Sequence, residues 1–293
     1  MKKLVKIYGG TEGHWVGDGF PVRSLFSYHR DAAALSPFLL FDYAGPHFFD
    51  PNVEAASAPR GVGQHPHRGF ETVTIVYDGE VSHRDSSGGG GTIGTGDVQW
   101  MTAAGGIIHE EFHSPAFSKT GGPFRMVQLW VNLPAKDKMS PAKYQAITTD
   151  DIPAVTFDGG SVRVIAGAFE GTQGPATTFT PINMWDMRLE ADAEVTLDLP
   201  DGHNAMVAVL SGHVSVIEDG AMESLGEAEI GRFSVEGAGV TIKANGAAML
   251  LVLSGEPIDE PVFGHGPFVM NTEREIRQAI DDFNAGRFGA VAA

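Results

Sequence analysis

Residues 72–86 read TVTIVYDGEVSHRDS, an apolar–polar alternation that breaks at Asp78-Gly79 and then resumes. Alternation with period two places successive side chains on opposite faces of a strand, and Asp-Gly suits a tight turn between strands. The stretch predicts a hairpin with one buried face. NAMVAVLSGHVSVIEDG at 204–220 carries the same design, so whatever the first unit builds, the chain builds it twice.

The repeat extends further. YDGEVS at 77–82 matches LSGHVS at 210–215 with an offset of 133, and GDVQWM at 96 matches GRFSVE at 231 with an offset of 135. FRMVQLWVNL (124–133) and AAMLLVLSGEP (247–257) add further strands, the first with Val127, Leu129, Val131 and Leu133 on one face. The 38 glycines and 17 prolines lie between these runs, which suits many short strands joined by tight turns. We expect an all-β protein of two related barrels, residues 1–134 and 154–293, joined by a polar, Pro-bounded linker over 135–153. The one helix the sequence predicts is at about 272–285. Thr272 and Glu275 have capping-box spacing, Ile276, Ala279, Ile280 and Phe283 form an apolar stripe, and Gly286 ends it.

A net charge of −17 disfavours contact with phosphate backbones, so no direct nucleic-acid partner is expected. The chain has no cysteine, which excludes disulfides, thiolate nucleophiles and Fe–S clusters. Any metal must be held by nitrogen and oxygen. The opening MKKLVKIYGG is too short for a signal-peptide core and no run reaches membrane-spanning length, so a cytoplasmic protein is expected.

HPH at 65–67 precedes the first alternating run, and GGIIHEEFH at 105–113 follows it. On a strand, His65 and His67 share a face about 6.7 Å apart, as do His109 and Glu111. If the two strands are neighbours, three imidazoles and one carboxylate converge inside the barrel. That set leaves a divalent ion with positions for further ligands, as in a catalytic non-haem site. Glu110 is the competing carboxylate, but on a strand it faces away. The alternative is two unrelated pairs at strand ends, satisfied by water.

HPHRGFETVTIVYDGEVSHRDS, GDVQWMTAAGGIIHEE and GPFVMNTEREIRQAIDDFNAGRFG resemble the pirins of the cupin superfamily, as does VGDGFPVRSLFSY…SPFLLFDYAGP. The resemblance covers nearly the whole chain. It implies a bicupin fold with one mononuclear metal in the N-terminal barrel, usually iron, held by His65, His67, His109 and Glu111. Cupins in general often use the Glu after the HxH pair, here Glu71, which the pirin pattern makes supporting or structural. TAAGG at 102–106 departs from the loop pirins commonly show without removing a ligand. In the second repeat, the offsets place Asp198, Pro200, Ala244 and Gly246 opposite the four ligands, so no second site is expected. His203 and His213 read as turn or surface residues.

Pirins resemble quercetin 2,3-dioxygenases. The resemblance implies cleavage of a flavonol-like aromatic substrate with O₂, Glu111 accepting the 3-hydroxyl proton, and release of CO with a depside left behind. Phe70 or Trp100 would line the pocket unless they belong to the core. Fe(II) is the expected ion, although the ligand set also suits Mn, Co, Ni, Cu or Zn. Other pirins are regarded as regulators, which implies a metal-dependent or redox-sensing protein with a protein partner instead. A monomer is expected, since self-paired barrels require no partner.

Overall fold

The computed structural model describes residues 1–292 and is mostly β, as the alternating runs predict. It divides into two compact units. Each contains one seven-stranded and one four-stranded antiparallel sheet. In the unit holding the histidine motifs, the larger sheet runs in the order Lys143–Ile147, Val98–Thr102, Phe70–Asp78, Gly122–Asn132, Phe38–Phe49, Phe20–Ser27, His14–Val16. The smaller runs Gly61–His67, Ile107–His113, Val81–Asp85, Gly90–Ile93. The other unit repeats this plan strand for strand, with Asn204–Ser211 and His213–Glu218 standing where Phe70–Asp78 and Val81–Asp85 stand in the first.

The anticipated hairpin at Asp78-Gly79 is a sheet change. Phe70–Asp78 belongs to the larger sheet and Val81–Asp85 to the smaller, and the two are not paired with each other. Gly79 makes this corner at φ +90°, where an added Cβ would stand 2.7 Å from the Phe124 ring. The strands on either side then face a common interior, which is why both carry buried side chains at nearly every inward position.

The units also depart from the division 1–134, 135–153 and 154–293. Residues 1–11 belong with 150–257, because Leu4–Tyr8 pairs with Glu229–Phe233 at a sheet edge. Residues 258–292 belong with the histidine-bearing unit. The presumed linker contributes the edge strand Lys143–Ile147, paired with Val98–Thr102, and a fully buried Lys138. The helix Glu273–Asn284 is capped by Thr272, whose hydroxyl accepts from the Glu275 N–H at 3.2 Å. Its stripe, Ile276 and Ala279 with Ile280 and Phe283, packs against Phe268, Met270 and Phe288.

Two helices were not anticipated, Tyr28–Leu35 and Pro115–Thr120. The second carried a readable signal, a Ser114 N-cap followed by Pro115. Among the described residues, no helix is long and apolar enough to cross a membrane.

Candidate metal centre

The two histidine strands are neighbours. Gly61–His67 and Ile107–His113 pair antiparallel, with His109 opposite His65 and Ile107 opposite His67. One ring nitrogen from each of His65, His67 and His109 lies within 4.8 Å of the others. The rings are arranged for a common ligand. His65 Nδ1 is 2.9 Å from the Gly63 carbonyl and His67 Nδ1 is 3.4 Å from the Pro267 carbonyl. A carbonyl only accepts, so both rings donate from Nδ1 and keep the Nε2 lone pair. His109 Nε2 is buried with no hydrogen-bond partner among the described residues.

Burial, followed by the neighbouring His65, lowers the pKa of His67 to about 3, against the Pro267 carbonyl, which opposes the shift. Burial, then His67 and His65, also holds His109 well below the usual imidazole range. Both are therefore neutral near pH 7, the form that binds metal. A buried lone pair without a donor, beside two further imidazoles whose ring nitrogens lie within 4.8 Å, fits a divalent ion.

Glu111 joins this cluster only through His109. Its group is His83, His109 and Glu111, again within 4.8 Å. Its carboxylate accepts from Gln99 Nε2 at 3.2 Å on one oxygen and from Gln128 Nε2 at 3.0 Å on the other. Two amides thus fix the carboxylate. Glu110 faces outward, buried and paired with Arg84 at 2.8 Å. Glu71 is buried and accepts from the Thr102 hydroxyl at 2.7 Å, in neither metal-competent group.

His83 was missed. Gln99 Nε2, which also donates to Glu111, lies 3.1 Å from His83 Nδ1, so Nδ1 is an acceptor and Nε2–H donates to Asp85 at 3.1 Å. His109 Nδ1 stands 3.3 Å from the same His83 Nδ1, so His109 donates there and turns Nε2 towards His65 and His67. Burial works to raise the Asp85 pKa, but bonds from His83, the Ser87 hydroxyl and the Ser87 and Gly89 N–H groups together hold it at about 2. Asp85, His83 and His109 form a chain that orients one imidazole. The signal for His83 was its parity with Val81 and Asp85, both inward on one strand.

Beside Glu111 and His65 is a cavity of about 30 Å³, walled by Val16, Phe20, Val22 and Met126. That volume holds one or two waters. Phe70 and Trp100 do not line it. Both are fully buried, and Phe70 stacks on Trp130 with ring centroids 4.3 Å apart.

The second unit has no counterpart site, but the equivalent positions differ from those the sequence offsets predict. Val81 pairs with His113 in one unit, and its equivalent Val214 pairs with Ala244 in the other. His109 and Glu111 therefore correspond to Val240 and Ile242 rather than Ala244 and Gly246. Leu197 pairs with Val240 as His65 pairs with His109, so His65 and His67 correspond to Leu197 and Leu199. All four replacements are buried in one apolar core. His203 and His213 belong to neither metal-competent group.

The chain matches the Pirin family model over residues 19–131 and the Pirin C-terminal cupin domain model over residues 184–289. It is 56% identical to a Pseudomonas aeruginosa protein named "putative quercetin 2,3-dioxygenase", covering 98% of this chain and 99% of that one. It is 37% identical to rat pirin, covering 88% and 84%. A crystal structure titled quercetin 2,3-dioxygenase, from Acinetobacter baumannii, superposes with a TM-score of 0.94 at 53% identity and covers all of both chains. The chain belongs to the pirin family.

Proposed function

We propose that this pirin is a mononuclear metal-dependent dioxygenase that cleaves a flavonol with O₂, releasing CO and leaving a depside. The observation that carries the reading is that one ring nitrogen from each of three histidines lies within 4.8 Å of the others, with the buried His109 Nε2 lacking a hydrogen-bond partner among the described residues. The similarity to proteins named quercetin 2,3-dioxygenase supplies the reaction class. His65, His67 and His109 would hold the ion through nitrogen and Glu111 through oxygen, and Fe(II) is our choice of metal. A bound divalent ion supplies a Lewis-acidic centre that lowers the pKa of a hydroxyl group placed on it.

The chain's own residues do the rest. Glu111 borders the cavity and takes the flavonol hydroxyl proton as general base, while Gln99 and Gln128 hold its carboxylate in place. Asp85 and His83 keep His109 in the tautomer that presents Nε2. Phe20, Val16, Val22 and Met126 give the substrate side an apolar wall.

One observation favours a second reading, in which the bound metal is sensed by a protein partner. The 30 Å³ cavity is roughly a tenth of the smallest ordinary small-molecule site, about 300 Å³. A flavonol needs far more room than this cavity gives.

The test is O₂-dependent loss of quercetin absorbance by metal-stripped protein and by protein reloaded with Fe(II). Turnover requiring both metal and O₂, with CO released, supports the dioxygenase. No turnover by fully loaded, folded protein rejects it in favour of the sensing role.

A further inference from the structure

A second cavity, of about 750 Å³, lies on the outer side of the same strands. Alternation explains why it is separate from the metal centre. Along Val81–Asp85, His83 and Asp85 belong to the buried histidine network, whereas Arg84 lines the outer cavity. Along Ile107–His113, His109 and Glu111 turn inward and Phe112 lines the cavity; His113, at the strand's end, also borders it, with Nε2 2.9 Å from the Gly19 carbonyl. None of the four proposed metal ligands lines it.

The cavity is built by the fold rather than left beneath a loose loop. Its cover is the segment 52–59, which folds back on itself. Asn52 Nδ2 donates to the Ala58 carbonyl at 2.9 Å, and Asn52 Oδ1 accepts from the Glu54 N–H at 3.1 Å. The Asn52 N–H donates to the Ser118 carbonyl at 2.7 Å, tying this cover to the short helix on the cavity's far side. Its volume is within the usual range for a small-molecule site.

The chemistry of the lining is specific. Val53, Ala55, Pro59 and Phe112 supply apolar surface, and Val53 is 96% exposed at the edge, a large apolar side chain with nothing on it. The two charged residues of the lining, Arg84 and Lys119, are both cationic, on a chain whose net charge is −17. Arg84 is held by the buried Glu110 carboxylate while its side chain stays largely solvated, and Lys119 is exposed as well. We infer that this cavity binds a small anionic amphipath, an aromatic or aliphatic body bearing one carboxylate or sulfonate, at a site distinct from the metal centre.

The inference does not depend on the dioxygenase reading. The experiment is a fluorescence titration of full-length, metal-stripped protein with 8-anilinonaphthalene-1-sulfonate, repeated after loading with Ni(II). One saturable site per chain, unchanged by Ni(II), is expected. Ala55→Trp, which fills the cavity from its cover, should abolish it. Lys119→Glu, on the surface and harmless to folding, should weaken it about threefold to tenfold. Competition by 2-naphthoate and by decanoate then separates an aromatic from an aliphatic acid as the preferred occupant. Binding that is unsaturable, that Ni(II) displaces, that neither acid competes for, or that both variants leave intact would overturn the inference.

Discussion

His83 and His109 approach Nδ1 to Nδ1 at 3.3 Å, and Asp85 braces the far side of His83 at 3.1 Å. This contact leaves His109 Nε2 as the lone pair directed to the other two histidines. Removing His83 therefore takes away an orienting group rather than a ligand. His83→Ala is expected to retain one metal per chain but bind it about 10–100-fold more weakly, the usual cost of losing an orienting partner. His109→Ala should abolish stoichiometric binding. Isothermal titration with Ni(II) separates the two, and equal loss in both variants would place His83 among the ligands.

The adjacent carboxylates make a sharper contrast. Glu110 and Glu111 are both buried, but one meets Arg84 outside and the other Gln99, Gln128 and the histidine cluster inside. Glu110→Gln should leave metal content near one per chain and lower stability by about 1 kcal/mol or less, since Arg84 is largely solvated. Glu111→Ala should lose the metal. Metal analysis after gel filtration reads both, and a large loss in Glu110→Gln would mean that the wrong carboxylate has been assigned.

These contrasts show what the sequence carries. The pairing of His65 with His67, and of His109 with Glu111, on one strand face was legible because period two fixes which residues share a face. His83 was not, because a single histidine in an alternating strand has the same parity signature as a core residue. Gln99 and Gln128 lie in strands whose neighbours are aliphatic or aromatic, and only tertiary pairing brings them to Glu111. The strand Leu4–Tyr8 was hidden for another reason. Edge pairing is made by backbone groups across more than 200 residues, and side-chain patterns record little of it. The repeat was visible, but its register was not. Leu197, Leu199, Val240 and Ile242 stand as core aliphatics at the positions of His65, His67, His109 and Glu111, so no motif remained to align.

Lys138 ties the C-terminal segment to the histidine-bearing strands. Its ammonium is buried and donates to the Gly69 carbonyl at 2.6 Å, Asn132 Oδ1 at 2.6 Å and the Val269 carbonyl at 3.0 Å. Gly69 itself sits at φ +91°, where an added Cβ would meet the Val269 carbonyl at 1.9 Å, so the two segments are in close contact there. Lys138→Met preserves most of the packing and strands three acceptors. Unfolding in urea should show a loss of about 2–4 kcal/mol. A loss below about 0.5 kcal/mol would mean that water replaces the ammonium and that the tie is weak.

Glu71 should impose a pH dependence that its amide analogue removes. Burial raises its pKa to about 7, and the Thr102 hydroxyl, the next largest influence, only partly offsets this. In the unfolded chain the group titrates near its ordinary value of 4.5. Between those values the folded protein holds the proton and the unfolded chain does not. Glu71 therefore contributes full stability below about pH 4.5 and loses it as pH rises through about 7. Glu71→Gln keeps an acceptor for Thr102 and has no charge to bury. For the metal-free proteins, urea unfolding should show the variant gaining on the wild type from pH 5 to 8, by about 1–3 kcal/mol at the upper end. A difference that stays flat across this range would show that Glu71 ionises at its ordinary value, with water reaching the carboxyl inside the barrel.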